Sequence, residues 1–278
     1  MKTNQLKQLL SEFGSNVSFE HDLRKKNWFN IGGKTKVFYK AENLKELVNF
    51  LKKINNNEKI FTLGAGSNTL ITDNLFDGIV IKLSNNFNNI SLLGEDIIIA
   101  GSAVLDTALS DFATNNNLSG FEFLSCIPGT VGGGIRMNAG CFGKEFKDIL
   151  LSIQAIDKLG NVTTIPRKEI KFEYRKNNLS DELIFLSASF KGIKAETSKI
   201  KDETDKVAPL RERNIENLSK IQRLNLELQN LDEENVRTQD EIENIKKSLK
   251  TIEDDIDREK GIVIDAKYNE KRLKEDRN

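Results

Sequence analysis

The sequence predicts an α+β fold with mixed sheets, followed by a long coiled-coil helix. Three observations lead there. Short β-rich runs alternate with amphipathic segments as far as about Gly192. Composition then breaks sharply, and from Ile221 onward the apolar residues recur in heptads. The 278 residues divide on this basis into a globular part over 1–195, a junction over 196–212 and a coiled-coil helix over 213–278.

In chain order, the β-rich runs are KVFYKA (36–41), KIFTLG (59–64), GIVIKL (78–83), DIIIAGS (96–102), LLSIQAID (150–157) and LIFLSASF (183–190). Each is closed by Gly, Asn or a charged residue. Between the first two, NLKELVNFLKKINN places Leu44, Leu47, Val48 and Leu51 on one helical face behind Asn43, a residue able to cap the helix. VLDTALSDFATNNN does the same with Val104, Leu105, Ala108, Leu109 and Phe112. Such an order fits mixed sheets and not a plain doubly wound fold.

All sixteen phenylalanines fall at or before Phe190, whereas Lys201–Asn278 holds 38 charged residues in 78, one aromatic and one glycine. That segment lacks the material for a globular core, yet its apolar residues are ordered: Ile221, Leu224, Leu228, Leu231, Asn235, Thr238, Ile242, Ile245, Leu249, Ile252 and Ile256 alternate steps of three and four. This is a heptad seam with one polar layer, and an asparagine on such a seam fixes register at some loss of stability. Self-association through 221–256 is therefore expected.

Charge excludes some functions. Lys and Arg total 42 and Asp and Glu total 42, so no basic field favours nucleic acid. No apolar run approaches the ~18 residues of a membrane helix, and the opening MKTNQLKQLL lacks a secretory signal. A cytoplasmic protein with free thiols is expected. Cys126 and Cys141 have neither CxxC spacing nor clustered histidines, so no metal site is expected, and the single histidine, His21, is given a surface role.

Two glycine-rich stretches stand out on this scaffold, LGAGSN (63–68) and CIPGTVGGGIRMNAG (126–140). The dinucleotide fingerprint GxGxxG fails because Thr69 occupies its third glycine position, and the phosphate loop fails for want of a GK[ST] ending. What remains is backbone. Successive N–H groups in such turns form a concavity for an anion without any cationic side chain, and two turns can grip two parts of one extended ligand containing a pyrophosphate.

With those stretches in view, NWFNIGGKTKVFYKAENLKELV, LGAGSNTLITDNLFDGIVIKL, LSGFEFLSCIPGTVGGGIRMNAG and FEYRKN occur in the order and spacing of the UDP-N-acetylenolpyruvoylglucosamine reductase family. The resemblance covers roughly residues 5–200. It implies an FAD-binding domain of the vanillyl-alcohol-oxidase type, hydride from NADPH, and reduction of UDP-N-acetylglucosamine enolpyruvate in peptidoglycan precursor synthesis. Carried onto this chain, it sets the FAD pyrophosphate against Gly64, Ala65, Gly66, Ser67 and Asn68, and a second loop with Pro128, Gly129, Thr130, Gly132, Gly133 and Asn138 along the cofactor. It makes Tyr174 and Arg175 substrate-binding, with Arg175 also catalytic. A fixed guanidinium can pair with the substrate carboxylate and stabilise the developing enolate. For Arg136 a structural ion pair and a ligand contact both stay open, and Cys126 reads as a small, mostly buried side chain.

The sequence departs from that family after Gly192. The family's third region supplies a proton-donating serine in a G-S-x-F-K-N-P motif and a late glutamate, and residues 191–278 contain no such motif. Ser198, Ser219 and Ser248 have no matching surroundings, and only KIKDETDKVAPL could be a last trace. The stretch that follows resembles the coiled-coil arm of structural-maintenance-of-chromosomes proteins. The chain therefore reads as a join of two incomplete genes with its seam between about Gly192 and Pro209, and impaired turnover is expected. A non-catalytic flavin-binding module and a chromosome-associated coiled-coil fragment are the other readings.

Overall fold

A computed structural model describes residues 3–54 and 58–275. The chain forms two compact units, one ending at Arg211 and the other beginning at Glu212.

The first unit opens with α1 (Thr3–Leu9) and a four-stranded sheet of β1 (Val17–Asp22), β2 (Lys34–Ala41), β3 (Ile60–Thr62) and β4 (Phe76–Leu83), in the order β1-β2-β4-β3. β1 runs antiparallel to β2, while β2 and β3 both pair parallel with β4, so the sheet is mixed as expected. The two-residue period of β2 sends Val37, Tyr39 and Ala41 to one face and Phe38 to the other. Against the first face lies α2 (Leu44–Ile54), capped by Asn43, whose Oδ1 accepts the Glu46 N–H at 3.0 Å. The buried stripe of α2 is Leu47, Phe50, Leu51 and Ile54; Leu44, expected inside, is 39% exposed because it sits at the first turn beyond the sheet-facing stripe. Burying a side chain such as Phe50, which stacks on Tyr39 at 3.8 Å, is worth about 1.5–3 kcal/mol. On the opposite face His21 stacks on Phe38 at 4.4 Å and is half-buried, so its ring serves packing more than the surface.

The second sheet is antiparallel throughout. It contains β5 (Ile90–Leu93), β6 (Ile97–Gly101), β7 (Leu150–Ile156), β8 (Val162–Pro166) and β9 (Ile184–Lys191), ordered β8-β7-β9-β6-β5. α3 (Asp106–Asn115), α4 (Val131–Arg136) and α5 (Phe146–Ile149) contribute Leu109, Ala113, Val131, Ile135, Phe146 and Ile149 to its core. Leu105, expected on the buried face, is 51% exposed because α3 starts one residue later and turns Asp106 inward instead. Ile156, Ile184 and Leu186 leave this sheet to join the core around α2, so the two sheets share apolar packing.

The last helix, α6, spans Thr197–Glu275 and so begins earlier than 213. Its start is tied to the globular unit: Ile200 is 2% exposed, the Thr197 hydroxyl bonds the Asn117 side chain, and just before the helix the Ala195 N–H donates to Asn117 O at 3.0 Å. In the second unit the seam residues lie in solvent, from 47% exposure at Ile242 to 61% at Leu224. Among the described residues no helix is long and apolar enough to cross a membrane.

Candidate functional site

The first glycine-rich turn leaves β3 and is built by close backbone approach. Gly66 has φ +72°, and a Cβ there would lie 2.3 Å from the Lys26 carbonyl, so neither strain nor space admits another residue. The Gly66 carbonyl accepts the Trp28 N–H at 3.1 Å. By contrast, the N–H groups of Gly64, Ala65, Gly66, Ser67 and Asn68 donate to no protein acceptor among the described residues. Successive N–H groups left open by the protein at a half-buried turn are available to an outside acceptor such as an anion.

The second stretch meets the first. A Cβ on Gly64 would approach Thr130 Oγ1 to 2.6 Å, and the Asn68 amide donates to Met137 Sδ at 3.1 Å. The structure thus brings residues 64–68 beside 130–137, across the boundary of the two sheets. Part of the second stretch is short helix despite three glycines: the Val131 and Gly132 N–H groups donate to Val104 O and Ser102 O at 2.9 Å each, which starts α4. The N–H groups of Gly129, Thr130 and Gly133 find no protein acceptor among the described residues. Pro128 and Gly133 are exposed; Thr130 is buried.

Asn138 is a different case. It is 3% exposed with φ +46°, and its side chain is fully engaged: Nδ2 donates to Glu145 Oε2 at 3.0 Å and Glu173 O at 3.3 Å, while Oδ1 accepts the Lys147 N–H at 3.2 Å. Arg136, open between two roles on sequence, is structural. Its guanidinium donates to the carbonyls of Ser180 at 2.9 Å and Leu183 at 2.6 Å and lies 4.1 Å above the Phe185 ring.

Tyr174 and Arg175 form the two-residue turn of a hairpin pairing Phe172–Glu173 with Lys176–Asn177. Tyr174 is 82% exposed. Arg175 is exposed and holds φ +59°, a left-handed conformation that an ordinary L-residue adopts at a cost of about 1–2 kcal/mol. Its guanidinium lies 5.6 Å from the Tyr174 ring and reaches two further groups electrostatically. The Lys147 ammonium first, then the Asn138 amide and Arg175, hold the Glu145 carboxyl below its ordinary range. Burial first, then contact with Cys126, pushes the Cys141 thiol up, with Arg175 opposing. Arg175 therefore stands at the edge of the second glycine-rich stretch. Cys126 and Cys141 are half-buried and not joined in a disulfide, and no metal-holding group of three or more His, Cys, Asp or Glu occurs among the described residues.

One residue escaped the sequence reading. Asp106, the first residue of α3, is fully buried, neither oxygen has a partner among the described residues, and burial raises its carboxyl to about 8. Its N–H donates to Gly129 O at 3.2 Å, and Oδ2 lies 2.5 Å from where a Gly129 Cβ would be, so it backs the second loop. An acid at a helix start ordinarily signals dipole stabilisation, so its burial could not be read from position alone.

A mixed sheet and an antiparallel sheet meeting at two backbone-lined turns define an FAD-binding domain, and a family model described as such matches residues 35–166. The chain is 60% identical over 203 residues to the UDP-N-acetylenolpyruvoylglucosamine reductase of Pelagibacter ubique (strain HTCC1062), covering 73% of this chain and 67% of that one. It is 44% identical over 188 residues to that of Rickettsia typhi (strain ATCC VR-144 / Wilmington), covering 68% and 63%. The crystal structure of the enzyme from Thermus caldophilus superposes with a TM-score of 0.61 at 26% identity, over 70% of this chain and 68% of that one. The chain belongs to the UDP-N-acetylenolpyruvoylglucosamine reductase family. It spans about two thirds of the length of these relatives.

Proposed function

We propose that residues 1–195 hold FAD and carry the reductase chemistry of the family, the NADPH-dependent reduction of UDP-N-acetylglucosamine enolpyruvate. The observation that carries this is the row of unpaired N–H groups at 64–68 set against Gly129, Thr130 and Gly133. An FAD pyrophosphate matches that donor set in charge and in its need for close main-chain approach. When bound, FAD supplies the hydride. Pro128, Gly129, Thr130, Gly132 and Gly133 line the cofactor, and Asn138 belongs to the same loop. Tyr174 and Arg175 face the substrate, where the Arg175 guanidinium pairs with the carboxylate and stabilises the charge that develops on it. Its strained backbone supports that role, since left-handed non-glycine residues persist where position matters.

The deciding measurement is the visible absorption spectrum of purified protein freed of loose ligand. A flavin band near one equivalent per chain is expected, and Gly66→Ala removes it. A colourless soluble protein refutes the cofactor assignment.

For the second unit the proposed role is pairing of the 221–256 seam with a second copy, as a two-stranded coiled coil like the arm of structural-maintenance-of-chromosomes proteins. Nine apolar seam residues, each about half exposed in the single chain, favour it. Residues 191–278 contain none of the family's serine motif, so the reductase activity of this chain is proposed to be weak, in a protein that works in the cytoplasm on nucleotide-linked substrates.

A further inference from the structure

The Arg175 hairpin is not free-standing. Asn138 Nδ2 donates to Glu173 O at 3.3 Å from one side. From the other, Asn177 Nδ2 donates to Ile135 O and Arg136 O, both at 3.0 Å, while Asn177 Oδ1 accepts the Leu179 N–H at 3.0 Å. Arg136 then binds the carbonyls of Ser180 and Leu183, which lie beyond the hairpin.

Apart from the Asn177–Leu179 bond, each of these has one end on the last turn of α4 or the residue pair after it. The first half of the same helix and the loop leading into it carry the N–H groups of Gly129, Thr130 and Gly133, unpaired among the described residues. α4 has six residues, so only about 9 Å of rigid rod separates the loop from the hairpin. The orphan carbonyls at the end of the helix are satisfied by the Asn177 amide, and Asn177 belongs to the strand leaving Arg175. Glu145, held by Asn138, is also the carboxylate that feels Arg175.

Resting on the assignment of FAD to the glycine-rich turns, we propose that Asn138 and Asn177 are positioning residues that transmit occupancy of the 129–133 loop to Arg175. Filling the loop fixes α4, and α4 fixes the left-handed turn that presents the guanidinium. Asn138 then serves the site through Arg175 and needs no side-chain contact with the cofactor.

Hydrogen exchange on the full chain, with and without added FAD, tests this in three proteins: the unaltered chain, Asn138→Gly and Asn177→Ala. Glycine at 138 keeps the left-handed backbone while removing three hydrogen bonds, and alanine at 177 leaves the strand pairing intact. In the unaltered chain FAD is expected to slow amides of 64–68 and, by about tenfold, those of 172–178. Both variants should still show the slowing at 64–68 but lose it at 172–178. A merely structural role would raise hairpin exchange equally with and without FAD, leaving the ratio unchanged, and that result overturns the proposal. So does a hairpin that ignores FAD in the unaltered chain while 64–68 responds. No response at 64–68 in any of the three proteins instead overturns the cofactor assignment itself, and this inference with it.

Discussion

Asp106 is the residue whose environment most conflicts with its chemistry. Its carboxyl is sealed from water with no hydrogen-bond partner, and burial moves it from the ordinary 3.8 to about 8. The unfolded chain releases this proton near pH 4, whereas the folded chain keeps it until about pH 8, so the folded state binds more protons across that interval. Stability contributed by the neutral form is present below pH 4 and is lost as pH rises through the interval, levelling off above 8. At about 1.4 kcal/mol per pH unit of displacement, the loss amounts to several kcal/mol. Asp106→Asn keeps the shape and removes the titration. Its melting temperature should match that of the unaltered chain near pH 4 and exceed it increasingly toward pH 8. Parallel curves for the two proteins over that range would show that water or a moved loop partners the carboxyl. The position also explains Gly129, since any larger residue would press on the buried oxygen 2.5 Å from its Cβ.

At the scale of elements, α6 carries the clearest unsatisfied demand. Ile221, Leu224, Leu228, Leu231, Ile242, Ile245, Leu249, Ile252 and Ile256 form one stripe that the single chain leaves wet, interrupted at Asn235 and Thr238. Two such stripes facing each other bury the nine apolar positions and pair Asn235 with its counterpart, which favours two strands in register. Sedimentation velocity at tens of micromolar should give a dimer, and Ile242→Asp with Ile245→Asp a monomer of unchanged helicity in the globular unit. A monomeric unaltered chain would end the proposal of self-association. The long helix of α6 was legible because its period lies in the sequence, as were β2, β3, β4, β6, β7, β9, α2 and α3, whose apolar alternation or helical stripe is local. β1 and β5 were not, since VSFEHD is a half-buried and ISLL a mostly exposed edge strand, each held by its neighbour. α4 was hidden too: VGGGIR contains three of the poorest helix formers short of proline, and it is helical because Ser102 and Val104 carbonyls take its first N–H groups. The same limit applied to the site. Glycine spacing marked 64–68 and 129–133, but only the fold reveals that they touch, that Asn138 and Arg136 are spent on bracing, and that Arg175 sits in a left-handed turn.

For the whole molecule, what the chain can do depends on how much of the reaction its two units supply. The globular unit sets the open N–H groups of 64–68 beside 130–137 and holds Arg175 in a left-handed turn, and the proposed function gives these a dinucleotide and a carboxylate to hold. Completing the reduction also requires a proton at the carbon adjacent to the new C–H bond, and residues 191–278 offer a charged helix where the family carries its serine motif. Loss of a general acid typically lowers rate by about 10²–10⁴-fold, and imperfect substrate positioning adds to that. Purified, FAD-loaded protein should therefore oxidise NADPH in the presence of UDP-N-acetylglucosamine enolpyruvate at least about 10²-fold more slowly than an intact relative assayed alongside. Arg175→Lys should lower the residual rate further while leaving the flavin spectrum unchanged, because the lysine ammonium keeps the charge but loses the bidentate geometry. If the slow rate and the arginine dependence both appear, the chemistry resides in the first unit and lacks only its acid. A rate equal to that of the relative would overturn the proposal that this chain lacks its proton donor.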